Sequence, residues 1–181
     1  MQSPPQRGDG RQWFHVVIST YGSWLPGDPR GFRALHHRVH VDGDYRDPPP
    51  ADSFIELREN AQRIMKFPPR KLSVAERAIV GKSCVEKLAE IDGFLFCLAA
   101  ATTHVHLLVK LRPVAVRTIL GAIKGQVYHA MHQAGYPAKL WAKRFRALPV
   151  EGLRHFRAVY HYILRHASEG AWTWKSELEW P

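Results

Sequence analysis

Hydrophobic and polar positions change their period along this chain, and each change marks an element. Trp13-Phe-His-Val-Val-Ile-Ser-Thr20 is dense in aromatic and β-branched residues and predicts a first strand, central in a sheet. From Tyr21 to about residue 72 the periodicity dissolves into Gly and Pro turns, Leu25-Pro-Gly-Asp-Pro-Arg-Gly and Asp47-Pro-Pro-Pro, with a modest helix near Phe54 to Met65. Ser73 then caps a helix, with Glu76 three residues on, and Ile79, Val80, Cys84, Leu88 and Ile91 recur at helical spacing. Asp92-Gly93 turns this helix into a second strand, Phe94 to Ala101, and Thr102-Thr-His-Val-His-Leu-Leu-Val-Lys110 follows as its hairpin partner. Pro113 opens a helix running to about His132, with Val116, Ile119, Leu120, Ile123 and Val127 inward and Arg117, Lys124 and Tyr128 on its flank. Lys139 to Val150 reads as a final basic strand. A last helix spans about Glu151 to Ser168, its inward stripe being Leu153, Phe156, Tyr160, Ile163 and Ala167.

The order strand, helix, strand, strand, helix, strand is the ferredoxin-like split pattern of an α+β protein. In that plan helices cover one face of an antiparallel sheet, leaving the other to carry a site. Residues 1–181 are expected to form one domain, with a long insertion at about 21–72 after the first strand. Loops of that length within a compact domain are often functional. This one is basic and carries Tyr21, Trp24, Phe32, His36, His37 and His40. A solvated surface loop accounts for that composition at least as well as a nucleic-acid contact. No internal repeat or low-complexity tract interrupts the pattern.

Charge narrows the partners. The chain has 26 Lys plus Arg against 16 Asp plus Glu, a formal +10, which favours a polyanion, nucleic acid before membrane. No apolar stretch approaches the roughly 20 residues of a membrane span, and the polar N-terminus does not read as a secretory signal. A cytoplasmic protein, associated with the nucleoid when bound to DNA, is expected. Cys84 and Cys97 lie in apolar segments and read as buried free thiols of a reducing compartment.

The chemistry is concentrated in two places. On a strand, side chains alternate, so His104, His106 and Lys110 share one face while Val105, Leu107, Val109 and Leu111 line the other. Neutral imidazoles are common metal ligands, and two at this spacing can grip one ion without bending the backbone. On the last helix, Tyr162 lies off the inward stripe and His166 follows one turn later on the same flank. A phenol has an unperturbed pKa near about 10, so a tyrosine attacking a phosphodiester needs a cation to neutralise the phosphate. His15 on the first strand stays unassigned.

With these residues in view, the chain resembles the single-tyrosine HUH transposases, in particular transposase-like proteins related to the REP-associated tyrosine transposases. The matching pieces are His104-Val-His-Leu-Leu-Val109, Tyr162-Ile-Leu-Arg-His166, Leu140-Trp-Ala-Lys-Arg-Phe145 and Ile123-Lys-Gly125. Together they span most of the chain from Trp13 to His166 outside the insertion. The resemblance implies that His104, His106 and a third ligand, His166, hold Mg²⁺ or Mn²⁺ while Tyr162 attacks single-stranded or hairpin DNA, giving a 5′-phosphotyrosine and a free 3′-OH. It also implies phosphate contacts from Lys124, Lys143, Arg144 and Arg146, and allows a homodimer. Two departures stand out. His166 occupies a position where the family often has Gln or Asn, which favours Mn²⁺ over Mg²⁺, and the Asn-Pro that commonly closes the tyrosine helix is absent.

A His-Val-His triplet alone is more often a surface pair than a metal site, and a lone helical tyrosine is usually packing. Agreement among the strand, its presented face, Tyr162 with His166, the charge and the element order favours metal-dependent DNA cleavage and strand transfer. A catalytically silent DNA-binding module derived from a transposase would keep the basic groove and lose the chemistry. A zinc hydrolase built on His104, His106 and another histidine is weakened because no Asp or Glu lies near the pair in sequence.

Overall fold

The computed structural model describes residues 10–28, 50, 52–91, 93–136 and 139–177. His36, His37, His40, Phe32 and the rest of residues 29–49 of the insertion lie outside them. Among the described residues the elements are β1 (Gln12–Ser19), α1 (Ile55–Arg63), α2 (Val74–Glu90), β2 (Phe94–Ala100), β3 (His104–Leu111), α3 (Val116–Gln133), β4 (Arg146–Pro149), α4 (Gly152–Arg165) and β5 (Trp172–Lys175). A 3₁₀ turn at Pro113–Ala115 leads into α3, and another, His166–Glu169, continues α4. The strands form one antiparallel sheet in the order β4-β1-β3-β2-β5. This is an α+β fold with the four-strand split order expected from the sequence, extended by an edge strand.

The capping box forms as read. Glu76 N–H donates to Ser73 Oγ at 3.3 Å and Ser73 N–H to Glu76 Oε2 at 2.8 Å, satisfying two helix-end donors. Glu76 also pairs with Arg70, which fixes the chain's return from the insertion. The inward faces of α2 and α3 (Val80, Cys84 and Leu88; Val116, Leu120, Ile123, Val127 and Met131) close over Val105, Leu107, Val109 and Leu111. Both cysteines are buried free thiols.

The sheet's second face is not left open. Between Leu95 and Cys97 the β2·β3 register shifts, and this bulge turns Phe96 and Cys97 together toward that face. With Trp13, Phe94, Leu108 and Val150 they make an apolar patch, and α4 covers it with Phe156, Val159 and Ile163. Trp13 and Phe96 meet the Phe156 ring edge-on at 4.8 and 4.9 Å between centroids, pairs that each add about 0.5–1.5 kcal/mol beyond burial. So α2 and α3 lie on one face and α4 on the other. The inward stripe of α4 is rotated from the one expected, because its apolar target is the bulge patch. Val159 is buried, Leu153 is exposed and Tyr160 is half-buried against Phe96.

Two further differences concern strands. The predicted basic strand shrinks to Arg146–Pro149, preceded by a single bridge from Trp141 to Thr20. β5 had no counterpart in the sequence reading. It reaches the sheet through Gly170, whose φ of +79° makes the turn that a side chain would strain. Arg77 of α2 donates to the Gly170 carbonyl at 2.5 Å, and the Trp172 indole packs against Gly81 of the same helix.

Candidate functional site

β3 is hydrogen-bonded to β1 and β2 along its length, so its side chains are held on both flanks. His104 lies opposite Ser19, and His106 opposite Val17 and Ala99. Both imidazoles therefore project on the α4 face, as alternation predicts. The end of the sheet beside His104 is tied by buried Thr20. Its hydroxyl lies 2.6 Å from the Arg70 carbonyl and 3.0 Å from the Thr103 carbonyl, and its N–H donates to Thr103 O at 2.8 Å.

The aromatic packing of the first half of α4 carries its last turn over these histidines. The candidate ligand atoms of His104, His106 and His166 all lie within 4.8 Å of one another. Tyr162 joins them, with its ring centroid 5.3 Å from that of His106 and 5.1 Å from that of His166. The residue is 41% exposed, whereas His106 and His166 are buried, so Tyr162 lies between the cluster and solvent. Arg165 places its guanidinium carbon 5.6 Å from the Tyr162 centroid. The nucleophile and third ligand expected from the sequence thus come together with the His-Val-His pair, and α4 packs on the sheet of its own chain.

The hydrogen bonds leave imidazole nitrogens that could hold a cation. His166 Nδ1 lies 3.0 Å from the Tyr162 carbonyl and 3.2 Å from the Ile163 carbonyl. Carbonyls only accept, so Nδ1 carries the proton and Nε2 keeps its lone pair. His106 Nε2 is buried and has no hydrogen-bond partner among the described residues. A divalent ion is the kind of group that satisfies such an atom among three imidazoles. Burial, then the neighbouring His104, His15 and His166, pushes the His106 pKa down to about 2, so its ring is neutral at pH 7. The donor set, three nitrogens without a carboxylate, suits Mn²⁺, Zn²⁺ or similar ions better than Mg²⁺.

His15 belongs to this cluster and was not assigned from sequence. Its Nε2 is 3.0 Å from His106 Nδ1 and its ring stacks on that of His106 with centroids 5.1 Å apart. Burial, followed by the Arg146 guanidinium, lowers its pKa to about 4. The only sequence signal was its alternation with Phe14 and Val16, which puts it on the presented face of β1.

The four basic residues fall into two groups. Lys143, Arg144 and Arg146 are exposed on the chain entering and forming β4. Lys124 is on α3, where its ammonium donates to the Ala142 carbonyl at 2.7 Å while its own carbonyl accepts from Trp141 Nε1 at 3.0 Å. It thereby fastens the 140–143 segment, and burial lowers its pKa. No described helix is long and apolar enough to cross a membrane.

No family model matches the chain, and no curated protein matches it. Among solved structures, a REP-associated tyrosine transposase bound to a REP hairpin superposes with a TM-score of 0.52 at 11% identity, over 94% of this chain and 74% of that one. At that identity the likeness is one of fold.

Proposed function

We propose that the protein is a metal-dependent enzyme of single-stranded DNA cleavage and strand transfer, with Tyr162 as nucleophile. One observation carries the reading: a part-exposed phenol is seated against three converging imidazoles, one of them with a buried, unpartnered nitrogen. The transposase-like fold and the +10 charge support it. On this reading residues 1–181 work as one HUH domain.

His104, His106 and His166 would hold the ion. When bound, Mg²⁺ or Mn²⁺ supplies Lewis acidity, neutralising the scissile phosphate and the charge that develops on it. Tyr162 Oη loses its proton and forms a bond to phosphorus as the bond to the 3′ oxygen breaks. That oxygen takes up a proton and leaves as a 3′-OH, while the 5′ side stays on the enzyme as phosphotyrosine. Attack by another 3′-OH reverses the balance and completes transfer, so no nucleotide cofactor is required. Arg165 stands beside the phenol, where an incoming phosphate meets it. Lys124, Lys143, Arg144 and Arg146 are the proposed phosphate contacts. The partner is single-stranded or hairpin DNA, and the insertion after Tyr21 is the proposed reader of DNA structure. A homodimer is compatible with this chemistry.

The test is incubation with labelled single-stranded and hairpin-flanked DNAs in Mn²⁺, Mg²⁺ or EDTA, read on a denaturing gel. A covalent band that needs metal and disappears in Tyr162→Phe is expected. A band retained in that variant moves the nucleophile elsewhere. Tight, salt-sensitive binding with no band on any substrate would favour the silent DNA-binding module.

A further inference from the structure

The two buried ligand histidines are oriented by different means. For His166 the partners of Nδ1 are main-chain carbonyls, which dictate the tautomer. For His106 the corresponding partner is a side chain from the neighbouring strand, His15, at 3.0 Å. We propose that His15 is a positioning residue: its Nε2 accepts the Nδ1–H of His106, which leaves the His106 Nε2 lone pair directed into the triad.

The direction of this hydrogen bond follows from what lies at the other nitrogen. A neutral imidazole has one N–H. If His15 donated instead, the His106 proton would sit on Nε2, a buried N–H with no hydrogen-bond partner, on a ring packed against the imidazoles of His104 and His166. That arrangement strands a donor and blocks the position where an ion would bind. With His106 donating, the lone pair stays on the buried, unpartnered Nε2, the ring nitrogen left to serve the three-imidazole cluster. The β1·β3 register holds the pair in place, since His15 and His106 stand two residues apart diagonally across the ladder, on the same face, with Val17 opposite His106 and Leu108 opposite His15. Stacking at an interplanar angle of 29° restrains both rings. Such outer partners commonly set tautomer and ligand basicity, and their loss typically costs about 10–100-fold in metal affinity. The metal consequence rests on the proposed function, whereas the tautomer does not.

The experiment uses ¹⁵N-labelled full-length protein in EDTA at neutral pH, reading the His106 tautomer from long-range ¹H–¹⁵N correlations, with Mn²⁺ affinity measured by EPR on the same samples. His15→Phe keeps ring bulk and removes the acceptor; His15→Gln keeps an acceptor oxygen. The Nδ1–H tautomer is expected in the wild type and in His15→Gln, but not as the dominant form in His15→Phe. Mn²⁺ affinity should fall about 10–100-fold in His15→Phe and recover in His15→Gln. A wild-type His106 protonated on Nε2, or a His15→Phe protein with wild-type tautomer and affinity, overturns the proposal. If His15→Phe does not fold, the wild-type and His15→Gln tautomers still decide it. A wild type with the Nδ1–H tautomer and no Mn²⁺ binding supports the positioning and defeats the metal reading alone.

Discussion

Gly81→Ala separates two physical arguments by the sign of its effect. Gly81 is in the interior of α2, where glycine is about 1 kcal/mol less favourable than alanine, so propensity alone has the variant more stable. The structure says otherwise. A Cβ at residue 81 would stand 2.7 Å from Trp172 Cδ2, with Cε3 and Cζ3 closer still. These are atoms of a rigid indole packed against the main core, not the end of a flexible chain. Overpacking of this kind costs about 1–3 kcal/mol, and overlap with three ring atoms belongs at the upper end. The net expectation is a loss of about 2 kcal/mol after the propensity gain is subtracted. For a chain of 181 residues that lowers Tm by about 4–8 °C, where propensity alone would raise it by about 2–4 °C. Thermal and urea unfolding followed by circular dichroism measure it. In a Trp172→Ala background the same substitution should become stabilising, since the obstacle is gone. A Gly81→Ala protein with raised Tm in the wild-type background would refute the packing argument.

Other consequences can be checked as readily. Burial pushes the Cys84 and Cys97 thiols up to about 12, so iodoacetamide should label neither in the native protein at pH 8, and both once urea is added. His166→Ala should weaken Mn²⁺ binding by at least about tenfold, with little change in fold by circular dichroism, and His166→Gln should restore part of the loss. Lys124→Met removes an ammonium-to-carbonyl hydrogen bond and should lower stability by about 1.5 kcal/mol, so any loss of DNA affinity will accompany a lower Tm. Arg144→Gln should leave Tm unchanged but reduce the slope of log K against log salt by about 0.7 on single-stranded DNA; an unchanged slope removes Arg144 from the proposed phosphate contacts.

Much of the architecture was legible because it rests on local rules. Alternation alone assigned the faces of β3, and Ser73 with Glu76 fixed the start of α2. The helical period also separated Tyr162 from the stripe that buries Ile163. What escaped depends on pairing between distant segments. The bulge at Leu95–Cys97 leaves no mark in a continuous apolar run, yet it creates the patch that draws α4 to the histidine face. β5 is four residues ending an edge, too short for period to reveal. His15 became part of the site only through the β1·β3 register, which no reading of Trp13 to Thr20 in isolation supplies.

The division of the three candidate ligands between a strand and the end of a helix has a thermodynamic side. His104 and His106 belong to the part of the molecule held by ladders on both flanks, while His166 arrives with α4. An ion gripped by all three would thus add a clasp to the apolar contact that already holds α4 on the sheet, and its occupancy and the seating of the helix would be linked. At a free ion concentration 100 times its Kd, the seated arrangement gains about 2.7 kcal/mol. Tyr162, the proposed nucleophile, is on the same helix, so on the proposed function a bound divalent ion would steady its position before any DNA arrives.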